Sequence, residues 1–432
     1  MKPLLTVVRF GGNAWKRYVE EPTRGRVDLR RSRSVEAILE AVRRQGDRAL
    51  VRYGERFDGI RLPASRLRVQ RNELGELASR ADRDVVRALR GLARRIRDYH
   101  EQQRETGFAL EVPGGGSVEE RIAPIPSVGL YVPGGAGAYP SSVLMTALPA
   151  RVAGVPRLVV TTPPGTLEDQ PAVAAALMLA GPDVEVYRVG GAQAIAALAF
   201  GTRALPRVHK IVGPGGAWVA EAKRQVRDIV ATDADAGPSE VTILADDSAD
   251  AGWVAADLLA QAEHGSGEER VVLVTTDTEL ADEVNRLVGE GLPSVANAAA
   301  ARKALRRWGR IVLVESLHDG VTAVNALAPE HAELHCRRAR SLARNVVAGA
   351  VFVGPWSPVA VGDYGIGPNH VLPTGGAARA ASALSVRDFV RRQSVVELTR
   401  ASLAHATDDI VRVAVAEGFP GHAQSVLTRH ET

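Results

Sequence analysis

Gln261 and His264 close an otherwise apolar run, Trp253–Val254–Ala255–Ala256–Asp257–Leu258–Leu259–Ala260. An amide and an imidazole three positions apart share one face of a helix, with Cβ atoms roughly 5–6 Å apart. Both can then reach one metal ion, although a buried Gln–x–x–His pair also serves as a plain hydrogen bond. Further donors follow: Asp363 in VGDYG, His370 in GPNH, and Glu417 and His422 in EGFPGH. Asp and His added to Gln–x–x–His give four N/O ligands, a set that suits Zn²⁺, with glutamine the unusual member. No CxxC or HExxH is present, so a short metal motif does not support the reading. Glu330 and His331, in NALAPEHAELH, follow a proline that can start a helix. Projecting together from a first turn, they suit general-base work, since imidazole titrates near neutrality and a carboxylate can activate water. Two exposed polar residues at a helix start are the plainer alternative.

Two glycine-rich turns offer backbone N–H groups at a helix start, the usual way to cradle a phosphate. They are Pro133-Gly134-Gly135-Ala136-Gly137 and Gly213-Pro214-Gly215-Gly216. No GxGxxG follows a strand, so the usual dinucleotide fingerprint is missing. Paired in neighbouring βα units, the two turns point to one cofactor cleft.

Alternation of apolar runs must position these groups. SVGLYV, RLVVTTPP, EVYRVG and KIVG read as strands, separated by the helical VLMTALPARVAGV, AVAAALMLAG and AQAIAALAFG. A second block runs from VTILAD through AGWVAADLLAQAEH and RVVLVTTD to GRIVLVES and AVFVG. This is the pattern of parallel strands with helical crossovers. The fold class expected is α/β, with two Rossmann-like open parallel-sheet domains, a small helical N-terminal arm and a C-terminal helical tail. The boundaries expected are 1–24 for the arm, 25–130 plus 239–384 for the first α/β domain, 131–238 for the second, and 385–432 for the tail. Residues 34–105 read as amphipathic helices, the first starting near Ser34.

The chain has 432 residues, 45% hydrophobic and 24% charged, enough for two cores. Its net charge of +4 comes from arginines scattered among alanines and leucines, not from a basic stripe. Nucleic-acid binding is therefore not expected. The single cysteine, Cys336, excludes an intramolecular disulfide and points to the cytoplasm; as a packed thiol it has no chemistry, as a nucleophile it would. MKPLLTVVRFGG is too short an apolar run for a signal peptide, and no stretch of about 18 apolar residues suggests a membrane span.

Taken together, the segments VGLYVPGGAGAYPSSVLMTALPARVAGV, RVGGAQAIAALAFGT, KIVGPGGAWVAEAKRQV, DADAGPSEVTILAD, DLLAQAEH, APEHAEL, GDYGIGPNHVLPTGGAARAASALSVRDF and EGFPGHAQSV resemble the histidinol dehydrogenase family, in the family's order. The resemblance implies a homodimer with one Zn²⁺ per subunit that oxidises L-histidinol to L-histidine in two NAD-dependent steps through the aldehyde. It implies Gln261, His264, Asp363 and His422 as zinc ligands, with His422 reaching the partner's site on a swapped tail. His331 becomes the proton acceptor and Glu330 the activator of water. Ser239, His370 and Glu417 become substrate contacts beside the zinc ligands and His331, and Tyr131, Gln193 and Gly216 lie on the NAD side. Three positions depart from the family's pattern: Gly216 replaces an asparagine, Val359 a glutamate, and Asp235 a small or apolar residue. A paralogue acting on another amino or hydroxy alcohol, and a non-catalytic zinc-binding dimer, are the alternative readings.

Overall fold

The computed structural model describes residues 3–21, 28–134, 139–233 and 237–430, with the side chain of residue 430 left aside. In chain order the elements begin with β1 (Thr6–Arg9), α1 (Asn13–Glu20), α2 (Leu29–Gln45), α3 (Asp47–Asp58), β2 (Arg68–Val69), α4 (Arg71–Ala78) and α5 (Arg83–Glu101). Next come β3 (Phe108–Glu111), β4 (Gly116–Pro124), β5 (Ser127–Tyr131), α6 (Pro140–Val152), β6 (Arg157–Thr162), α7 (Thr166–Asp169) and α8 (Pro171–Ala180). β7 (Glu185–Arg188), α9 (Gly191–Phe200), β8 (Lys210–Val212), α10 (Ala217–Gln225), β9 (Ala231–Thr232), β10 (Glu240–Ala245), α11 (Ala251–Ala262) and β11 (Arg270–Thr275) follow. The chain continues with α12 (Thr278–Gly291), α13 (Ala298–Trp308), β12 (Arg310–Leu313), α14 (Leu317–Leu327), β13 (His331–His335), α15 (Ala339–Leu342), β14 (Ala350–Val353) and α16 (Val359–Tyr364). It ends with β15 (Val390–Leu398), α17 (Arg400–Ala416) and α18 (Pro420–His430).

Among the described residues the strands make three sheets. One is parallel throughout, in the order β1-β12-β11-β10-β13-β14. The second runs β2-β7-β6-β5-β8-β9 and is parallel except for the β2 edge. The third is a small antiparallel sheet, β15-β4-β3. The two parallel sheets have helices on both faces, as buried parallel strands require. The expected α/β class with two open parallel-sheet domains is the architecture observed.

Several expected boundaries shift. α2 and α3 bury Val35, Ile38, Leu39, Val42, Leu50 and Tyr53 against α9 and Ile211 of the second sheet. α4 and α5 bury Leu74, Leu77, Leu89, Leu92 and Ile96 against Val128, Leu130, α6 and α8 on its other face. Most of the expected segment 25–130 therefore belongs with 131–238, not with 239–384. The expected arm 1–24 supplies an edge strand, β1, and α1 buries Trp15 and Tyr18 in the core of the first sheet. The tail expected to be helical opens with the long strand β15, paired along its length with β4. α2 starts at Leu29, where Asp28 accepts from the N–H groups of Arg30 and Arg31, five residues before the expected Ser34. One glycine is fixed by close approach: a Cβ at Gly129 in β5 would come within 2.8 Å of Leu198 on α9.

Candidate active site

Glu330 and His331 do not begin a helix. α14 is capped by Ala328, whose φ of 45° is the one positive value at a non-glycine residue among those described. This left-handed cap turns the chain, and Pro329–Glu330 leads straight into β13. β13 lies beside β10, with His331 opposite Val241, so the pair meets the backbone of Glu240 at the amino ends of both strands. The Glu240 N–H donates to Glu330 Oε2 at 2.9 Å. His331 Nδ1 lies 3.0 Å from the Glu240 carbonyl oxygen; a carbonyl can only accept, so Nδ1 carries the proton and Nε2 keeps its lone pair. Glu330 Oε2 and His331 Nδ1 are 3.6 Å apart, and both side chains are buried. Burial pushes the Glu330 carboxyl above its ordinary range, against His331, the Glu240 N–H, the Ser239 hydroxyl and His264.

α11 delivers the next two residues at its carboxyl end. Gln261 is 2% exposed, and neither Oε1 nor Nε2 of its amide has a hydrogen-bond partner among the described residues. A buried amide with both ends unsatisfied costs roughly 1–3 kcal/mol per group, which a ligand supplying contacts would recover. His264, just past the helix, donates from Nδ1 to the Gln261 carbonyl at 3.1 Å, leaving Nε2 free to coordinate. Asp363 lies on the short helix α16, and its side chain is 17% exposed.

His370 holds the two domains together. Its Nδ1 is 3.3 Å from the Asp363 carbonyl oxygen, and its Nε2 is 3.3 Å from Ser142 Oγ on α6. Next to it Asn369 donates to the Met145 carbonyl at 2.6 Å. Burial lowers the His370 pKa, Asp363 opposes this, and His331 and His264 lower it further. The structure thus brings Ser239, His264, Glu330, His331, Asp363 and His370 into one electrostatic neighbourhood at the domain boundary, with Gln261 beside His264. It does not do so for Glu417 and His422. Both are exposed at the α17–α18 corner, where His422 stacks on Phe419 with ring centroids 5.2 Å apart. Among the described residues neither side chain makes a hydrogen bond or ion pair.

On the second sheet, β5 lies between β6 and β8, so the chain reverses its winding beside β5, where open α/β sheets bind ligands. Tyr131 ends β5 and accepts from the Gly191 N–H at 3.1 Å, and Gln193 is buried in the first turn of α9. Gly213 follows β8 with φ of 116°, and a Cβ there would come within 2.3 Å of the Tyr131 carbonyl oxygen. The turn is clamped by a buried ion pair: the Gly213 N–H donates to Asp233 Oδ2 at 2.7 Å, and Lys223, paired with Asp233, donates to the Gly213 carbonyl at 3.0 Å. Gly216 is exposed, and a Cβ there would meet nothing within 4 Å, so the backbone does not require glycine. Gly135, Ala136 and Gly137 of the first glycine-rich turn, and Asp235, lie outside the described residues. The Cys336 thiol is half-buried and pushed up to about 11 by burial and Asp246, which suits a packed thiol over a nucleophile.

Sequence reading missed Glu240. Its backbone holds the Glu330–His331 pair, and its own carboxyl is pushed up to about 7, mainly by burial, with Arg270 lowering it and Glu330 raising it. Only a pairing of strands 90 residues apart reveals it. A raised folded-state pKa contributes stability below the unfolded value that is lost as pH rises through the folded one. Between pH 4.5 and 8, the unfolding free energy of the wild-type protein relative to Glu240→Gln is expected to fall by about 3 kcal/mol. Denaturant melts of the two proteins at several pH values read this directly; a constant difference refutes it.

No helix among the described residues is long and apolar enough to cross a membrane. The sequence model of the family described as histidinol dehydrogenase matches residues 23–430. A histidinol dehydrogenase of Gluconobacter oxydans is 47% identical over 400 residues, covering 92% of each chain. One from Thermobifida fusca is 46% identical over 401 residues, covering 91% of this chain and 90% of its own. The crystal structure of histidinol dehydrogenase from Elizabethkingia anophelis superposes with a TM-score of 0.92 at 31% identity, covering 100% of this chain and 99% of that one.

Proposed function

The chain belongs to the histidinol dehydrogenase family, and from that membership we propose that it oxidises L-histidinol to L-histidine through L-histidinaldehyde, using NAD and a Zn²⁺ at the substrate site of each subunit, in a cytoplasmic homodimer. The observation that carries the reading is the clamp of Glu330 and His331 on the Glu240 peptide, which leaves His331 Nε2 as a base at the domain boundary beside Gln261, His264 and Asp363.

Gln261, His264, Asp363 and His422 would hold the zinc; the unsatisfied Gln261 amide and the free Nε2 of His264 suit that task. When bound, zinc would orient the substrate and NAD would accept the hydride of each oxidation. The protein does the rest. His331 Nε2 accepts the alcohol proton as the hydride leaves the carbinol carbon. The Glu330 carboxylate then takes a proton from the water that adds to the aldehyde. Burial raises the basicity of that carboxylate, which favours the transfer. His370 and Asp363 fix the position of the substrate's polar end, and Glu417, which lies away from this chain's own site, would suit its cationic group if the tail reaches the partner's site. Tyr131, Gln193 and the Gly213–Gly216 turn suit NAD at the switch point of the second sheet.

Glu330→Gln keeps an acceptor for the Glu240 N–H but removes the second base. It is expected to slow aldehyde oxidation about a hundredfold and alcohol oxidation far less, so that stopped turnovers contain aldehyde. Equal loss in both half-reactions speaks against the division of labour.

An exposed apolar patch on the small sheet and the tail suits the proposed dimer. Leu110, Val118 and Val396 stand in register across the small sheet. Leu110 and Val396 are exposed there, as are Phe108, Leu398, Val413, Val415 and Phe419 nearby on the sheet and the tail helices. A patch of this kind suits a subunit contact. If His422 serves the partner's site, mixing inactive His331→Asn and His422→Ala proteins regenerates one intact site per hybrid dimer. Random exchange then restores about a quarter of wild-type activity; no recovery under verified exchange rejects the swap.

A further inference from the structure

One helical turn back from Gln261, a second group of donor atoms faces α11. β13 alternates sides, so Ala332 and Leu334 enter the core on the α14 side while His331, Glu333 and His335 share the other face. Asp257 of α11 meets Glu333 and His335, and their three donor atoms all lie within 4.8 Å of one another. His335 Nε2 is 3.3 Å from Glu333 Oε2 and 3.9 Å from Asp257 Oδ2. Glu333 is fully buried and His335 is 4% exposed. Glu333 Oε1 accepts from the Val359 N–H at 2.6 Å. Its Oε2 and both nitrogens of His335 have no hydrogen-bond partner among the described residues. Donor atoms this close and buried, with Glu333 Oε2 and both His335 nitrogens unpartnered, are arranged like the corners of a coordination shell.

We propose that Asp257, Glu333 and His335 form a second divalent transition-metal site, separate from the one at Gln261 and fitted to Zn²⁺. Zinc binds oxygen and nitrogen at about 2.0–2.1 Å in a tetrahedron, which sets neighbouring donors about 3.3–3.4 Å apart. The 3.3 Å separation of His335 from Glu333 already matches that, and the 3.9 Å separation from Asp257 closes with a small side-chain shift. Charge argues the same way. The groups acting on Asp257 are Glu333 and His335, and without a cation burial and the Glu333 charge push its carboxyl up to about 7. A dication with two carboxylates and a neutral imidazole leaves the cluster uncharged. Such an ion ties together α11, β13 and, through the Val359 N–H, α16. These elements carry Gln261, His331 and Asp363, so the second site is structural, holding the first one's ligands in place. Without an ion, the same atoms would have to share a proton between Asp257 and Glu333.

Counting metal decides between these. Chelator-stripped protein is titrated with Co²⁺ or Zn²⁺, freed of excess by gel filtration, and assayed by mass spectrometry of the metal. The expected result is two equivalents per wild-type subunit, one in His264→Ala, one in Glu333→Gln or His335→Ala, and none in the His264→Ala/His335→Ala double variant. Glu333→Gln keeps the acceptor for Val359, and Asp257→Asn serves as a further conservative variant, with circular dichroism confirming the fold of each. One equivalent in the wild type, removed by His264→Ala and untouched by the other substitutions, overturns the proposal. A count lowered by Glu333→Gln but not by His264→Ala supports it, and moves the fault to the ligand assignment at Gln261.

Discussion

His331→Asn is expected to lower kcat with L-histidinol about a thousandfold, or about 4 kcal/mol in barrier height, with little change in KM or zinc content. The asparagine amide sits where Nδ1 does, so it can still donate to the Glu240 carbonyl that fixes the histidine at 3.0 Å. The β10–β13 junction therefore keeps its hydrogen bond and the protein its fold. Only the Nε2 lone pair disappears. A loss shared between kcat and KM, or a drop in bound zinc, would mean that His331 holds the site together instead of moving a proton.

His264→Ala is expected to remove one equivalent of zinc and to reduce turnover to background. Two of the proposed ligands hang on the carboxyl end of α11, and the helix cannot satisfy the buried Gln261 amide itself. Removing the imidazole leaves one amide, one carboxylate and a histidine expected from the partner, too weak a set to retain a borderline metal against a chelator. Unchanged zinc content in this variant contradicts the ligand assignment whatever happens to activity.

Much of the fold was legible because buried parallel strands are apolar runs of three to six residues between helices. β5, β6, β7, β8, β10, β11, β12 and β14 lie where such runs fall. β13 did not read as a strand: HAELH alternates polar and apolar residues and follows a proline, a pattern that also opens a helix. Its polar face is the side that carries His331, Glu333 and His335, so the feature that hid the strand is the one that equips it. β4 and β15 were missed for another reason. β4 is half-buried and β15 largely exposed, both carry charges along their length, and the two lie some 270 residues apart in sequence. Helical periodicity in residues 29–101 showed which side was apolar but not which sheet it covers, hence the shifted domain boundary.

The site divides in the same way. Residue types at Gln261–His264, Glu330–His331 and Asp363 suggested metal and base chemistry, and family resemblance proposed the roles. What the sequence could not show is how they are held: by the peptide of Glu240, by Ser142 across the domain boundary at His370, and by the left-handed turn at Ala328. The alternation His331-x-Glu333-x-His335, read with Asp257 four positions before Gln261, was the available signal for the second cluster.

The most direct test of the central claim is the stoichiometry of complete oxidation. With zinc-loaded enzyme, excess NAD and limiting L-histidinol, the account predicts two NADH for each L-histidinol consumed, with L-histidine as the product. One NADH with accumulated aldehyde, turnover only with other alcohols, or no turnover from zinc-bound protein would contradict it.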